Sequence, residues 1–170
     1  MLLDPLLQPI VIPLVAGLVC LLLPRGWDRP RGWLAVAATG VVLLAAGQLW
    51  VAGDQQWVWA GWSLLRLDPL SRFLLPVAAT FALLTALYSL SYMSGQQGQR
   101  IYWACLLWSL AFASGVLLAT EFLGLLICWG LLAVTLYLMI GVSGPEAAEA
   151  ARKTLIIVGG SDSLLLLAGG

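Results

Sequence analysis

Histidine is absent from this chain of 170 residues, and Asp, Glu, Lys and Arg together make up only 9% of it. Without imidazole there is no histidine-ligated metal centre to expect. The acids and bases balance at eight each, so no net positive charge supports nucleic-acid binding. The three cysteines, Cys20, Cys105 and Cys128, lie in separate apolar runs with no C-x-x-C pair, which reads as buried thiols rather than a metal or redox site. The Ile156–Asp162 stretch has two glycines after a strand-like lead, but no G-x-G-x-x-G and no βαβ context, so it does not read as a dinucleotide site. A glycine pair there suits helix packing instead. No positive residue precedes the first apolar run, which follows Asp4, and Val19 stands directly before Cys20. Signal-peptide and lipoprotein readings are therefore disfavoured, and the first run is expected to be retained.

Apolar side chains dominate what is present, at 62% of the chain. A water-soluble globule of this composition would have too little polar surface to cover its core. In lipid the backbone must satisfy its own hydrogen bonds, which leaves helices or a closed barrel. Apolar runs of about 20 residues, at ~1.5 Å each, match a ~30 Å hydrocarbon layer and favour helices. The expected fold is all-α, a polytopic transmembrane helix bundle of about six spans in a single membrane domain over residues 1–170. The spans are placed at about 6–23, 33–52, 69–93, 101–119, 121–142 and 151–170.

Local chemistry punctuates this pattern. Pro9 and Pro13 each remove a backbone donor, so span one should start irregularly or bend. Arg25, Arg29 and Arg31 form a short basic loop, with Trp27 and Trp33 placed for an interfacial belt. Gln48, polar within span two, is expected to hydrogen-bond another helix. Between Gly53 and Asp68 the sequence alternates, QQWVWAGW and then LRL, predicting a short extramembrane β-like element between spans two and three. Trp57 and Trp59 would share one face, able to dock on the membrane surface or a neighbouring subunit. Asp68 is placed to cap the next helix, Pro69 suits its first position, and Arg72 lies one turn after Asp68, close enough to pair with it. Pro76 should bend span three, and Ser109, Ser114 and Gly115 should let span four approach its neighbours. Only Thr120 and Glu121 separate spans four and five, which makes those helices antiparallel neighbours. Ser143 and Glu146 have capping-box spacing, and Glu149 and Lys153 are placed i, i+4 on the lead-in to span six.

Several of these segments carry a resemblance. Leu67-Asp68-Pro69-Leu70-Ser71 is similar to the L-D-G-L-S motif of the antiporter-like subunits of respiratory complex I, multisubunit cation/proton antiporters and membrane-bound hydrogenases. Tyr88-Ser89-Leu90-Ser91-Tyr92-Met93 resembles the same family's Y-S-x-x-Y-M ending. Trp129-Gly130-Leu131-Leu132, with Tyr137 to Gly141, resembles its fifth helix, and Ala151-Arg152-Lys153 with Gly160-Ser161-Asp162 its sixth. The resemblance implies the N-terminal portion of a longer, cofactor-free ion-translocating subunit, with redox chemistry in other subunits. The residue after the tryptophan is usually a proton-transferring glutamate in that family; here it is Gly130. Glu121 cannot simply replace it, because nine residues at about 100° each put the two positions on opposite helix faces, ~13 Å apart along the axis. Gly130 is therefore expected to form a close-packing surface, sharing its face with Tyr137.

Asp162, deep in an apolar run between two serines, is the leading pathway residue. It reads either as a member of a buried proton path or as a structural acid bonded to serines and helix termini. Lys153 and Arg152 are further pathway candidates or snorkelling side chains, and Glu121 a further candidate or a solvated carboxylate at a helix start. Charge bias favours an outward N-terminus, since Arg25, Arg29, Arg31, Arg100, Arg152 and Lys153 then face the cytoplasm and only Arg66 and Arg72 the other side. The expected setting is the cell inner membrane, among lipid and other membrane subunits, with no nucleic acid, no metal and no cofactor. The function expected is proton or cation translocation coupled to redox chemistry in a complex I-like NADH-quinone oxidoreductase assembly. The alternatives are a non-transporting anchoring subunit, or an accessory subunit of an antiporter, hydrogenase or ion-coupled uptake system.

Overall fold

The computed structural model describes residues 4–24, 26–59, 62–96, 98–142, 149, 152–154, 156 and 157. Five helices and one hairpin follow one another as α1 (Gln8–Leu22), α2 (Asp28–Val51), β1 (Gln55–Trp59), β2 (Trp62–Leu67), α3 (Pro69–Tyr92), α4 (Gln99–Leu118) and α5 (Phe122–Gly141). Helices α2 to α5 are each long and apolar enough to cross a membrane. Helix α1 is shorter, at 15 residues, and is preceded by a turn over Pro5 to Leu7. Four spans are thus of full length among the described residues, and the predicted sixth lies largely outside them. Within it Arg152, Lys153, Thr154, Ile156 and Ile157 are helical.

Helix α4 is the hub. It packs against α1, α2, α3 and α5, and the consecutive residues Trp103 to Leu107 are all buried. A helix buried on every side must be apolar all round, which its sequence satisfies. Small residues set its spacing from its neighbours. Gly17 of α1 lies under the Trp108 ring of α4, whose Nε1 donates to the Leu14 carbonyl at 3.2 Å. On the other side Gly115 accommodates Cys128 of α5. The core has three layers. Cys20, Ala35, Ala86 and Trp103 fill one end, Val42, Ala79 and Leu110 the middle, and Leu6, Leu49, Leu67, Leu75 and Leu118 the other end.

The hairpin is antiparallel, with Gln55 opposite Leu67 and a bulge at Trp57/Val58. It is tied to the bundle at the link between α4 and α5, where Thr120 N–H donates to the Leu64 carbonyl and Leu65 bridges Ala119. Trp57 is half-buried and packs on the adjoining core layer, so it anchors the hairpin to its own helices.

The α1–α2 connection departs from expectation. Arg31 is not in a basic loop: α2 begins at Asp28, and Arg31 is 2% exposed. Its guanidinium donates to Asp28 at 2.5 Å and to the carbonyls of Leu23 and Pro24 at 2.6 and 2.7 Å. Those carbonyls lie just past α1, beyond the reach of the helix's own hydrogen-bond ladder. Three acceptors in reach of one planar fork explain why an arginine is drawn inward here. Gln48, by contrast, is exposed near the end of α2 and bonds no neighbouring helix among the described residues.

Candidate ion-pathway residues

Which side of α5 meets the bundle is decided by Cys128, Leu132 and Thr135. Cys128 rests on Gly115, and Thr135 accepts from Ser109 of α4 at 2.9 Å while donating to the Leu132 carbonyl at 2.7 Å. Gly130 lies two residues beyond Cys128, about 200° around the helix, and so points away from α4. A Cβ at Gly130 would meet nothing within 4 Å. Among the described residues, then, no close packing is seen at Gly130. The close approach between α4 and α5 is made one half-turn away, at Gly115, because only that stripe of α5 faces the hub. Tyr137 shares the Gly130 side and is half-buried. The structure does not bring either of them to the Ser109–Thr135 pair.

Glu121 is the N-cap residue of α5 and is exposed, without a side-chain capping bond. This fits a solvated carboxylate at a helix start. Asp68 caps α3 as expected, its Oδ1 accepting from the Ser71 amide at 2.6 Å, with Pro69 in the first turn. The hydrogen bonds from Ser71 hold the Asp68 carboxyl below its ordinary value of 3.8. Arg72 does not pair with Asp68. It reaches back to Asp54 at 2.7 Å, joining the start of the hairpin to α3, and its backbone N–H bonds the Asp68 carbonyl instead. Ser71 Oγ also donates to the Leu117 carbonyl at 2.5 Å, fixing the α3 entry to the α4 exit. Replacing Asp68 with alanine should cost about 1 kcal/mol of stability. Because its folded-state pKa is depressed, the contribution is full above pH 3.8 and is lost as pH falls through the lower folded value. Thermal unfolding of the full-length subunit in detergent, compared at neutral and acid pH, checks this: the gap between wild type and variant should close only at the acid end.

Lys153 pairs with Glu149 at 2.8 Å, both exposed, as the i, i+4 spacing predicts. Arg152 is exposed. Such an exposed pair contributes little. Asp162, the leading expectation, and the Ser143–Glu146 capping box lie outside the described residues. Every described carboxylate, Asp4, Asp28, Asp54, Asp68, Glu121 and Glu149, sits at a helix end, in a loop or outside α1 to α5. Among the described residues no group of three or more His, Cys, Asp or Glu side chains could hold a metal ion.

Sequence reasoning missed three polar devices. Arg31 clasps the α1–α2 turn, Trp108 reaches the Leu14 backbone, and Ser89 shares a 2.7 Å hydrogen bond with Tyr102 between α3 and α4. The only local signal for the first was Asp28, at the i, i+3 spacing of a helical ion pair. The other two depend on partners distant in the chain.

A family model described as "NADH-Ubiquinone oxidoreductase (complex I), chain 5 N-terminus" matches residues 61–103, which include both the Leu67–Ser71 and Tyr88–Met93 motifs. NAD(P)H-quinone oxidoreductase subunit 5 from the chloroplast of Illicium oligandrum is 25% identical over 94% of this chain and 24% of its own length. F(420)H(2) dehydrogenase subunit L of Methanosarcina mazei is 29% identical over 78% of this chain and 21% of its own length. The chain thus spans about a quarter of the length of these curated relatives. The fold is shared with a chain of the membrane-bound sulfane sulfur reductase, an archaeal respiratory membrane complex, with a TM-score of 0.81 over 96% of this chain and 35% of that one, at 21% identity. These matches bear out the resemblance to antiporter-like subunits and the multi-pass membrane architecture.

Proposed function

Starting from a chain that resembles the antiporter-like subunits of complex I in motif, family match and fold, we infer that it contributes to proton or cation translocation coupled to redox chemistry in a complex I-like assembly. It works beside other membrane subunits in the cytoplasmic membrane, with its N-terminus outward. Redox chemistry belongs to its partners, and this chain's part is to hold and move charge.

One observation carries the residue assignment. Helices α1 to α5 hold no carboxylate in their interiors, and Gly130 occupies the position where the family resemblance implies a glutamate. By sequence the remaining acid within an apolar run is Asp162. A carboxylate there is costly to ionise, so its protonation would respond to nearby charge, as a relay requires. Lys153 and Arg152, about two to three helical turns earlier, would supply positive charge toward one end of that path. Tyr137 supplies a hydroxyl on the open side of α5.

The full-length subunit in its complex, reconstituted into proteoliposomes, tests this. Asp162→Asn should abolish most coupled ion movement, on the order of tenfold or more, while quinone-linked electron transfer persists uncoupled or slowed. Intact coupling in that variant would remove Asp162 from the path. Gly130→Glu is the second arm. A Cβ at Gly130 meets nothing within 4 Å among the described residues, so the variant should remain folded, and a change in coupling would show that this side of α5 communicates with the path.

The anchoring alternative is favoured by the same Gly130. In that case Asp162→Asn and Gly130→Glu both leave ion movement unchanged.

A further inference from the structure

At the end of the bundle opposite the hairpin, a cavity of about 660 Å³ opens between the starts of α2 and α4 and the end of α3. Its wall includes Asp28, Arg29, Trp33, Ser94, Gln99 and Trp103. Two helix N-termini converge on it, and neither N-cap residue, Trp27 or Gly98, provides a side-chain capping bond. The positive ends of both helix dipoles lie at this space; Pro30 has no N–H and the Arg31, Ile101 and Tyr102 amides are already bonded, so the first-turn amides left over are those of Asp28 and Arg29 in α2 and of Gln99 and Arg100 in α4.

The side chains independently favour an acceptor-rich, negative ligand. Gln99 is 8% exposed, lines the cavity, and its amide has no hydrogen-bond partner within the protein. That amide opens on the cavity, so its donors and acceptor are free for whatever fills the space. Behind it the buried Trp103 indole N–H is also unpartnered, and the ring edge carrying that nitrogen packs against Gly32 in the same wall. Asp28 is neutralised by Arg31, and Arg29, exposed at the mouth, has no ion-pair partner. The charge left over is positive.

We propose that this cavity is a phosphate-binding site for a phospholipid headgroup. Arg29 provides the charge, and Gln99 with the open first turns of α2 and α4 provides hydrogen-bond donors. Trp33, 63% exposed, stands at the mouth where an indole prefers the headgroup layer. The cavity is far larger than one phosphate ion, and Leu90 and Trp33 give it an apolar side along which the start of the lipid tails can lie. These features select a lipid over free phosphate. The assignment does not depend on whether the chain moves ions.

The test is native mass spectrometry of the delipidated complex containing the full-length subunit, titrated with phosphatidylglycerol or with inorganic phosphate. Arg29→Gln and Gln99→Leu should each weaken phosphatidylglycerol binding about three- to tenfold, as expected for losing one charge-assisted hydrogen bond. Ser94→Lys, which adds a cation at the exposed rim, should strengthen it, a gain that misfolding cannot produce. Inorganic phosphate should neither bind comparably nor displace the lipid. Unchanged lipid affinity in the Arg29 and Gln99 variants with no gain in Ser94→Lys overturns the site, and displacement of lipid by inorganic phosphate overturns its assignment to a headgroup.

Discussion

Arg31→Met should destabilise the subunit by about 3 kcal/mol in thermal or denaturant unfolding, the low end of what removing one partner of a buried ion pair costs. The Arg31 guanidinium is 2% exposed, and it satisfies two carbonyls at the end of α1 as well as the Asp28 carboxylate. Methionine fills similar volume but leaves the Leu23 carbonyl without a donor and the Pro24 carbonyl with only the long 3.4 Å bond from Trp27 N–H, at a cost on the order of 1 kcal/mol or more for each bond lost. Asp28 is partly exposed and can recover water, which keeps the loss from being larger. Asp28→Asn should therefore cost markedly less, about 1 kcal/mol, because the carbonyl bonds survive. Arg31→Lys should fall between the two, since one ammonium cannot reach three acceptors with the geometry of a planar fork. A methionine variant as stable as wild type would mean that water caps α1 unaided.

The second large effect comes from placing one methyl group at three glycines. At Gly17 a Cβ would lie 2.5 Å from Trp108 Nε1 and 3.2 Å from the Ala104 carbonyl oxygen. The ring is held by its bond to Leu14, so relief requires either breaking that bond or moving α1 from α4. Gly17→Ala should cost about 2–3 kcal/mol through overpacking and the strained hydrogen bond. At Gly115 the clash is with Cys128 Sγ at 2.7 Å, the tip of a half-buried side chain that can rotate, and the cost should be about 1 kcal/mol. At Gly130 nothing is met among the described residues, and alanine should be neutral or stabilising by about 0.5 kcal/mol from helix propensity. The ranking of the three melting temperatures is the measurement. If Gly130→Ala destabilised as much as Gly17→Ala, the open side of α5 would have been misplaced.

These residues also show how far the sequence is informative. The spans, the hairpin and the Asp68 cap are all set by near neighbours in the chain: apolar run length, strict alternation, and one carboxylate three residues before the amide it accepts from. Such features are legible because their physics is local. Which side of α5 meets the hub was not legible, because it depends on Gly115 and Ser109 in another helix. Periodicity cannot resolve this when α5 is apolar around its whole circumference, as its sequence is. Arg72 illustrates the same limit. Two carboxylates were within reach along the chain, and the hairpin fold decided in favour of Asp54 over the nearer Asp68. Arg31 was assigned to a loop because three arginines and two prolines between apolar runs look solvated; two carbonyls at the end of α1 reversed that.

The position of α4 at the hub has a consequence for how the subunit is made. Trp108 and Leu14 are 94 residues apart, so the contact joining α1 to α4 cannot form until three further helices have entered the bilayer. Helix α1 cannot complete its packing as it emerges. Gly17 offers lipid no side chain, and the cleft it leaves waits for an indole synthesised much later. Chain order and packing order differ, and the first helices persist as a provisional set until the fourth closes them, a delay set by the spacing of contacts along the chain.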